Sequence, residues 1–181
     1  MLRITIPENE LFDESTQQFV TVKETTLQLE HSLVSLSKWE SKWHKAFLSR
    51  KDKTFEETID YIRCMTITKN VDPIVYTCLT AKNIEEINQY IDDPMTATHF
   101  MERDTPGGGS GDTVTSELIY YWMIAFNIPS EYQKWHLNRL IALIKVCNIK
   151  NQPTKKMGKG EIMRRNAALN AARRKKAHSR G

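Results

Sequence analysis

At 181 residues, with 40% hydrophobic and 27% charged side chains and a formal net charge of +4, the chain has the make-up of a folded globular protein rather than a disordered polyelectrolyte. That length encloses one hydrophobic core without metal or disulfide staples. No apolar run approaches the roughly 18 to 20 residues that span a bilayer, and Met1-Leu2-Arg3-Ile4-Thr5-Ile6-Pro7 lacks the apolar stretch of a secretory signal, so a cytoplasmic protein without membrane contact is expected.

Leu2, Ile4 and Ile6 alternate with Arg3 and Thr5, and Phe19-Val20-Thr21-Val22 follows the polar turn Asp13-Glu14-Ser15-Thr16, which predicts a small N-terminal β-hairpin. Thr26-Leu27-Gln28-Leu29-Glu30 alternates too and can add a third strand. So few strands need a helical layer to lie on. From Ser32 the period becomes helical, with Leu36, Trp39, Trp43 and Phe47 stepping along one face and Lys38, Lys42 and Lys45 on others.

Thr54 with Glu57 forms a capping box that opens a helix with an apolar face of Phe55, Ile59, Ile62 and Met65. Asp72-Pro73 introduces the short stretch Ile74 to Leu79, and Asn83 with Glu86 predicts the start of a helix carrying Ile84, Ile87 and Ile91, closed by Pro94. Residues 102–112, with four glycines and a proline, predict a flexible surface loop inside one domain. Thr113 or Thr115 then caps a helix through Leu118, Tyr121, Trp122 and Ala125 that stops at Asn127-Ile128-Pro129. Ser130 predicts the start of a long central helix to about residue 148, with Tyr132, Trp135, Leu137, Leu140, Ile141, Ile144 and Cys147 on more than one face.

Beyond Pro153 the composition changes. Residues 154–181 hold ten Lys/Arg against the single acid Glu161, for +9, which leaves 16 basic and 21 acidic residues before them, for −5. The basic set includes Lys155, Lys156, Lys159, Arg164, Arg165, Arg173, Arg174, Lys175 and Lys176. This segment has no aromatic residue and cannot bury a core of its own, but its alanines predict a nascent or docked helix from about Glu161 to Lys175. The expected architecture is therefore mainly α: a β-rich segment at 1–31 packed on a helical body at 32–153, followed by a basic extension at 154–181 that is partly disordered or helical.

Chemical motifs are few. The glycine cluster Gly107 to Gly111 is followed by Asp112, whereas a phosphate loop needs Lys-Ser/Thr after its last glycine. The five histidines and the three cysteines Cys64, Cys78 and Cys147 lack zinc-site spacing, and the cysteines read as reduced core thiols. The acid pairs Glu56-Glu57, Glu85-Glu86 and Asp92-Asp93 are adjacent in sequence, and adjacent residues on a helix point about 100° apart. No catalytic residue, cofactor or metal is expected, and the chain reads as an interaction protein rather than an enzyme. Tryptophans at helical spacing ordinarily face a core; the sharper reading makes Trp39, Trp43, Tyr121 and Trp122 an exposed apolar groove for a partner helix. The basic extension can stay solvated, contact nucleic acid, or bind an acidic protein surface, including another copy's acidic body.

The strings Leu29-Glu30-His31-Ser32-Leu33, Ser37-Lys38-Trp39-Glu40-Ser41-Lys42-Trp43, Ile119-Tyr120-Tyr121-Trp122-Met123-Ile124 and Trp135-His136-Leu137-Asn138-Arg139-Leu140 resemble a tail assembly chaperone of long-tailed bacteriophages. The ending Arg165-Asn166-Ala167-Ala168-Leu169-Asn170-Ala171-Ala172-Arg173-Arg174 is similar to such phage proteins as well, so the resemblance extends over most of the chain. It implies a non-enzymatic helper in the host cytoplasm that binds the tape-measure protein or other phage tail proteins. Such a helper keeps the client's apolar helices soluble, leaves as the tail tube polymerises, and is absent from the finished virion. The competing expectations are a phage structural or head-tail joining protein, and a small nucleic-acid-binding accessory protein that uses the basic extension.

Overall fold

The computed structural model describes residues 1–13, 17–49, 52–100, 113–151 and 158–176. The turn at Glu14 to Thr16, the glycine-rich loop at 102–112, and Lys155 and Lys156 lie outside them. Two compact units are present, Met1–Lys150 and Asn151–Gly181. The fold is mainly α, with a small β element at the N-terminus.

In the first unit, β1 (Leu2–Ile6) pairs antiparallel with β4 (Thr25–Leu29), placing Ile4 opposite Leu27, while β2 (Asn9–Asp13) pairs with β3 (Gln18–Val22). The expected N-terminal hairpin is present as β2–β3, but with different partners: Leu2–Ile6 takes the third predicted strand, and the predicted strand at Phe19-Val20-Thr21-Val22 pairs with a segment that has no apolar alternation. Ile4, Ile6, Leu27 and Leu29 are all buried, so one face of the β1–β4 ribbon belongs to the core. β4 is also bonded on its other side to the chain just past α2, where Glu30 N–H donates to Met65 O at 2.9 Å and Ile67 N–H to Gln28 O at 2.9 Å.

α1 (Leu33–Trp43) starts at Ser32, whose hydroxyl accepts from the Ser35 amide, and buries Leu33, Leu36 and Trp39. The expected helical run to Phe47 ends at Trp43, because His44 turns into the left-handed region at φ 52°. Phe47 still reaches the core from the following turn, stacking on Tyr61 at 3.8 Å. α2 (Phe55–Met65) has the expected Thr54–Glu57 box and buries Ile59, Ile62 and Met65, but Phe55, in its first turn, is 78% exposed.

Pro73–Cys78 is a 3-10 segment capped by Asp72. α3 (Ala81–Asp92) begins before the expected Asn83, because Thr80 is the N-cap and Asn83 closes the box as its third residue. Asn83 is buried, and its Nδ2 donates to Thr5 O at 3.2 Å, which fastens α3 to β1.

α4 (Ser116–Ala125) is capped by Thr115. The long helix expected from Ser130 is divided: Ser130–Lys134 is a 3-10 turn, Trp135 is extended, and α5 runs over Leu137–Asn151. The division has a cause in pairing, since Ser32 and His136 form an antiparallel bridge and Leu137 N–H donates to His31 O at 2.8 Å. Asn138 Nδ2 then donates to Ile91 O and Asp93 O, both at 2.8 Å, satisfying carbonyls at the end of α3. In the second unit, α6 spans Lys159–Lys176, and all of its described side chains are exposed.

Candidate binding groove

Each of the four aromatic candidates has a distinct position. Trp39 has no exposed surface and donates its Nε1–H to Glu57 O at 2.9 Å, so it is core and takes no part in an open groove. Trp43 is half-buried, stacks on Trp39 at 6.1 Å, and donates its Nε1–H to Asp60 Oδ2 at 2.8 Å. Lys42 and Lys45 lie over its ring at 5.7 and 5.3 Å, which covers its face with charge. Both lysines also pair with buried acids of α2, Asp60 and Glu57 respectively. Trp43 therefore ties α1 to α2.

Trp122 and Tyr121 belong to a different surface. Trp122 lines a cavity of about 460 Å³ together with Leu48, Val114, Phe126, Ile141 and Ile144, with Ser49, Lys145 and Asn148 supplying the polar part of its wall. Thr115 and the core contacts of Ile119 and Met123 set the rotation of α4, so that Trp122 and Phe126, four residues apart, lie on one side. The neighbouring face of α4 stays open: Tyr121 is 62% and Ile124 76% exposed. Three residues apart on one helix, the two side chains share a face. A broader depression of about 760 Å³ along α3, lined in part by Glu85, Asn88, Gln89, Asp92 and Asp93, offers less apolar surface to cover than the cavity at Trp122.

The basic residues expected as a second site form part of α6, where Lys159, Arg164, Arg165, Arg173, Arg174, Lys175 and Lys176 are exposed. Among the described residues, no group of three or more His, Cys, Asp or Glu side chains is arranged to hold a metal, and no helix is long and apolar enough to cross a membrane. The three cysteines are free thiols, and burial pushes the Cys64 thiol up.

One titratable cluster lies inside the core. His31 Nδ1 is 2.6 Å from Tyr61 Oη, His31 and His136 meet edge-on at 5.0 Å, and His136 Nε2 is 2.9 Å from Tyr90 O. A carbonyl only accepts, so His136 Nε2 carries the proton and its buried Nδ1 keeps a lone pair without a partner. Burial raises the Tyr61 phenol, which stays protonated beside His31 Nδ1. Burial, then the neighbouring His136, lowers His31 to about 3, and burial likewise lowers His136 against the opposing pull of the Tyr90 carbonyl, Asp93 and Glu30.

With exposures of only 1% and 6%, His31 and His136 are closed to a substrate and act as neutral core groups. Lowered folded-state values give stability that is fully present above the unfolded value of 6.5 and is lost as pH falls toward the folded value. His31 alone is expected to remove about 2 kcal/mol between pH 7 and pH 5, with His136 acting in the same direction. Urea denaturation at the two pH values checks this, and a His31→Asn chain should show a smaller difference between them. Equal stability of the native chain at both pH values would contradict the buried neutral pair.

The chain matches no protein-family model, no curated protein and no solved structure. Of the residues lining the groove, Trp122 alone was among those expected at a binding surface; Leu48, Val114, Phe126, Ile141 and Ile144 come from three separate stretches that only the fold brings together. A signal was nevertheless present. Leu118 to Ala125 is an unbroken apolar run, and a helix apolar on every side has to leave one face open unless it is surrounded.

Proposed function

We propose that this chain is a non-enzymatic assembly factor of a long-tailed bacteriophage, working in the host cytoplasm, which holds apolar helical segments of the tape-measure protein until the tail tube encloses them. The observation that carries the reading is the apolar groove at Trp122 beside the open α4 face of Tyr121 and Ile124. An amphipathic client helix offers side chains at helical spacing, and a trough lined by Trp, Phe and Ile accepts them without requiring a fixed sequence. The resemblance of the Trp39–Trp43 and Trp135–Leu140 strings to tail assembly chaperones supplies the identity of the client.

Co-expression with the tape-measure protein of the same phage tests the proposal. The client is expected in the soluble fraction, bound to this chain; an insoluble client with nothing co-purifying overturns the reading, and finding the chain in purified virions would replace it with a structural role. The double substitution of Tyr121→Ala and Ile124→Ser should change folding stability by no more than about 0.5 kcal/mol, as exposed substitutions usually do. It should still reduce the recovered client several-fold. Unchanged recovery would remove the α4 face from the site.

A further inference from the structure

In α6 the order of charges along the helix matters more than their number. Lys159, Arg164 and Arg165 stand at one end and Arg173, Arg174, Lys175 and Lys176 at the other, and the seven residues between, Asn166 to Ala172, carry no charge. The major groove of B-form DNA is about 12 Å wide between its two phosphate walls and admits a helix of about 10 to 12 Å diameter. Within the uncharged stretch, Asn166 and Asn170 are four apart and share a face, which Lys159 and Met163 continue in one direction and Arg173 and Arg174 in the other. Asparagine weakens a helix interior relative to alanine, yet it offers the paired donor and acceptor that match adenine in the major groove. Ala167, Ala168, Ala171 and Ala172 leave room for close approach.

We propose that α6 is a duplex-DNA-binding helix that lies in the major groove, with Asn166 and Asn170 toward the base edges and the basic residues at its two ends toward the phosphates. Charge complementarity names this occupant: residues 154–181 carry +9 against a backbone with one negative charge per about 1.7 Å of duplex. The lack of aromatic residues in this segment counts against single-strand binding by base stacking, but insertion into a groove needs no stacking. An acidic protein surface is the weaker fit, because α6 offers none of the Trp or Tyr anchors on which protein interfaces depend. The inference is independent of the groove at Trp122.

Fluorescence anisotropy of the full chain with a labelled 24-base-pair DNA duplex, at salt concentrations from 50 to 200 mM, tests it. Contacts to at least four phosphates predict a log-log salt slope of about −4. Arg173→Ala with Arg174→Ala should make the slope shallower by about 2, and Asn166→Ala with Asn170→Ala should weaken binding roughly tenfold while leaving the slope unchanged. Every one of these changes raises helix propensity, so unfolding of α6 does not account for a loss. Three results would overturn the proposal: tighter binding to an RNA duplex of the same length, heparin competing charge for charge with no effect of the asparagine changes, or salt-sensitive self-association without DNA binding.

Discussion

Replacing Trp39 with alanine is expected to lower the unfolding free energy by about 3 to 5 kcal/mol, which for a domain of this size is a large share of its total stability. The ring has no exposed surface and contacts Trp43, Phe47 and Tyr61 with centroid separations of 6.1, 5.1 and 6.5 Å. Its Nε1–H also ends on Glu57 O, so one side chain joins α1, α2 and the turn between them. Trp39→Phe keeps most of the apolar burial but loses the donated bond, and about 1 to 2 kcal/mol is expected for it. Urea denaturation followed by circular dichroism measures both. A Trp39→Ala chain within 1 kcal/mol of the native one would show that this residue is not at the centre of the core.

The burial of Trp39 was not separable from the exposure of Tyr121 in the sequence, because both occur in helices at apolar spacing and periodicity assigns faces without saying what covers them. What local chemistry decides was legible. Thr54 with Glu57 and Thr115 mark helix starts because a hydroxyl meets an amide two or three residues away, a contact that needs no tertiary partner. Asn83 went the other way: its side chain serves both the Thr80 box and the Thr5 carbonyl, and only the second of these depends on the fold.

Pairing between distant segments was the least legible part. β1 and β4 are separated by the whole β2–β3 hairpin, and Leu2-Arg3-Ile4-Thr5-Ile6 alternates identically whichever strand it joins. The division of the helix expected at 130–148 has the same origin, since the Ser32–His136 bridge and the bond from Leu137 N–H to His31 O lie more than 100 residues from their partners in sequence. The groove inherits this difficulty. Its wall from α5 and its wall from α4 come together only once α4 has been set against α1.

The setting of α4 against α1 depends on one buried acid, and Glu40→Ala is expected to cost about 3 to 5 kcal/mol. Glu40, 7% exposed, accepts from the Phe47 amide at 2.9 Å through Oε1 and from the Ser116 amide at 2.7 Å through Oε2. The Ser116 amide is one of the unpaired donors at the start of α4, where negative charge is favoured by the helix dipole. The Phe47 amide fixes the turn that carries Phe47 onto Tyr61. Both bonds consume acceptors, so Glu40→Gln should also fail: its amide has one acceptor oxygen and would turn an NH2 group toward the second amide, at about 1.5 to 3 kcal/mol. Hydrogen exchange at Phe47 and Ser116 reads the two bonds separately, and a stable Glu40→Gln chain with both amides still protected would sink the assignment. If the loss is as large as expected, Glu40 holds the α4 side of the groove in place without lining it, so Glu40→Gln should also weaken binding of the proposed client at temperatures where the chain remains folded.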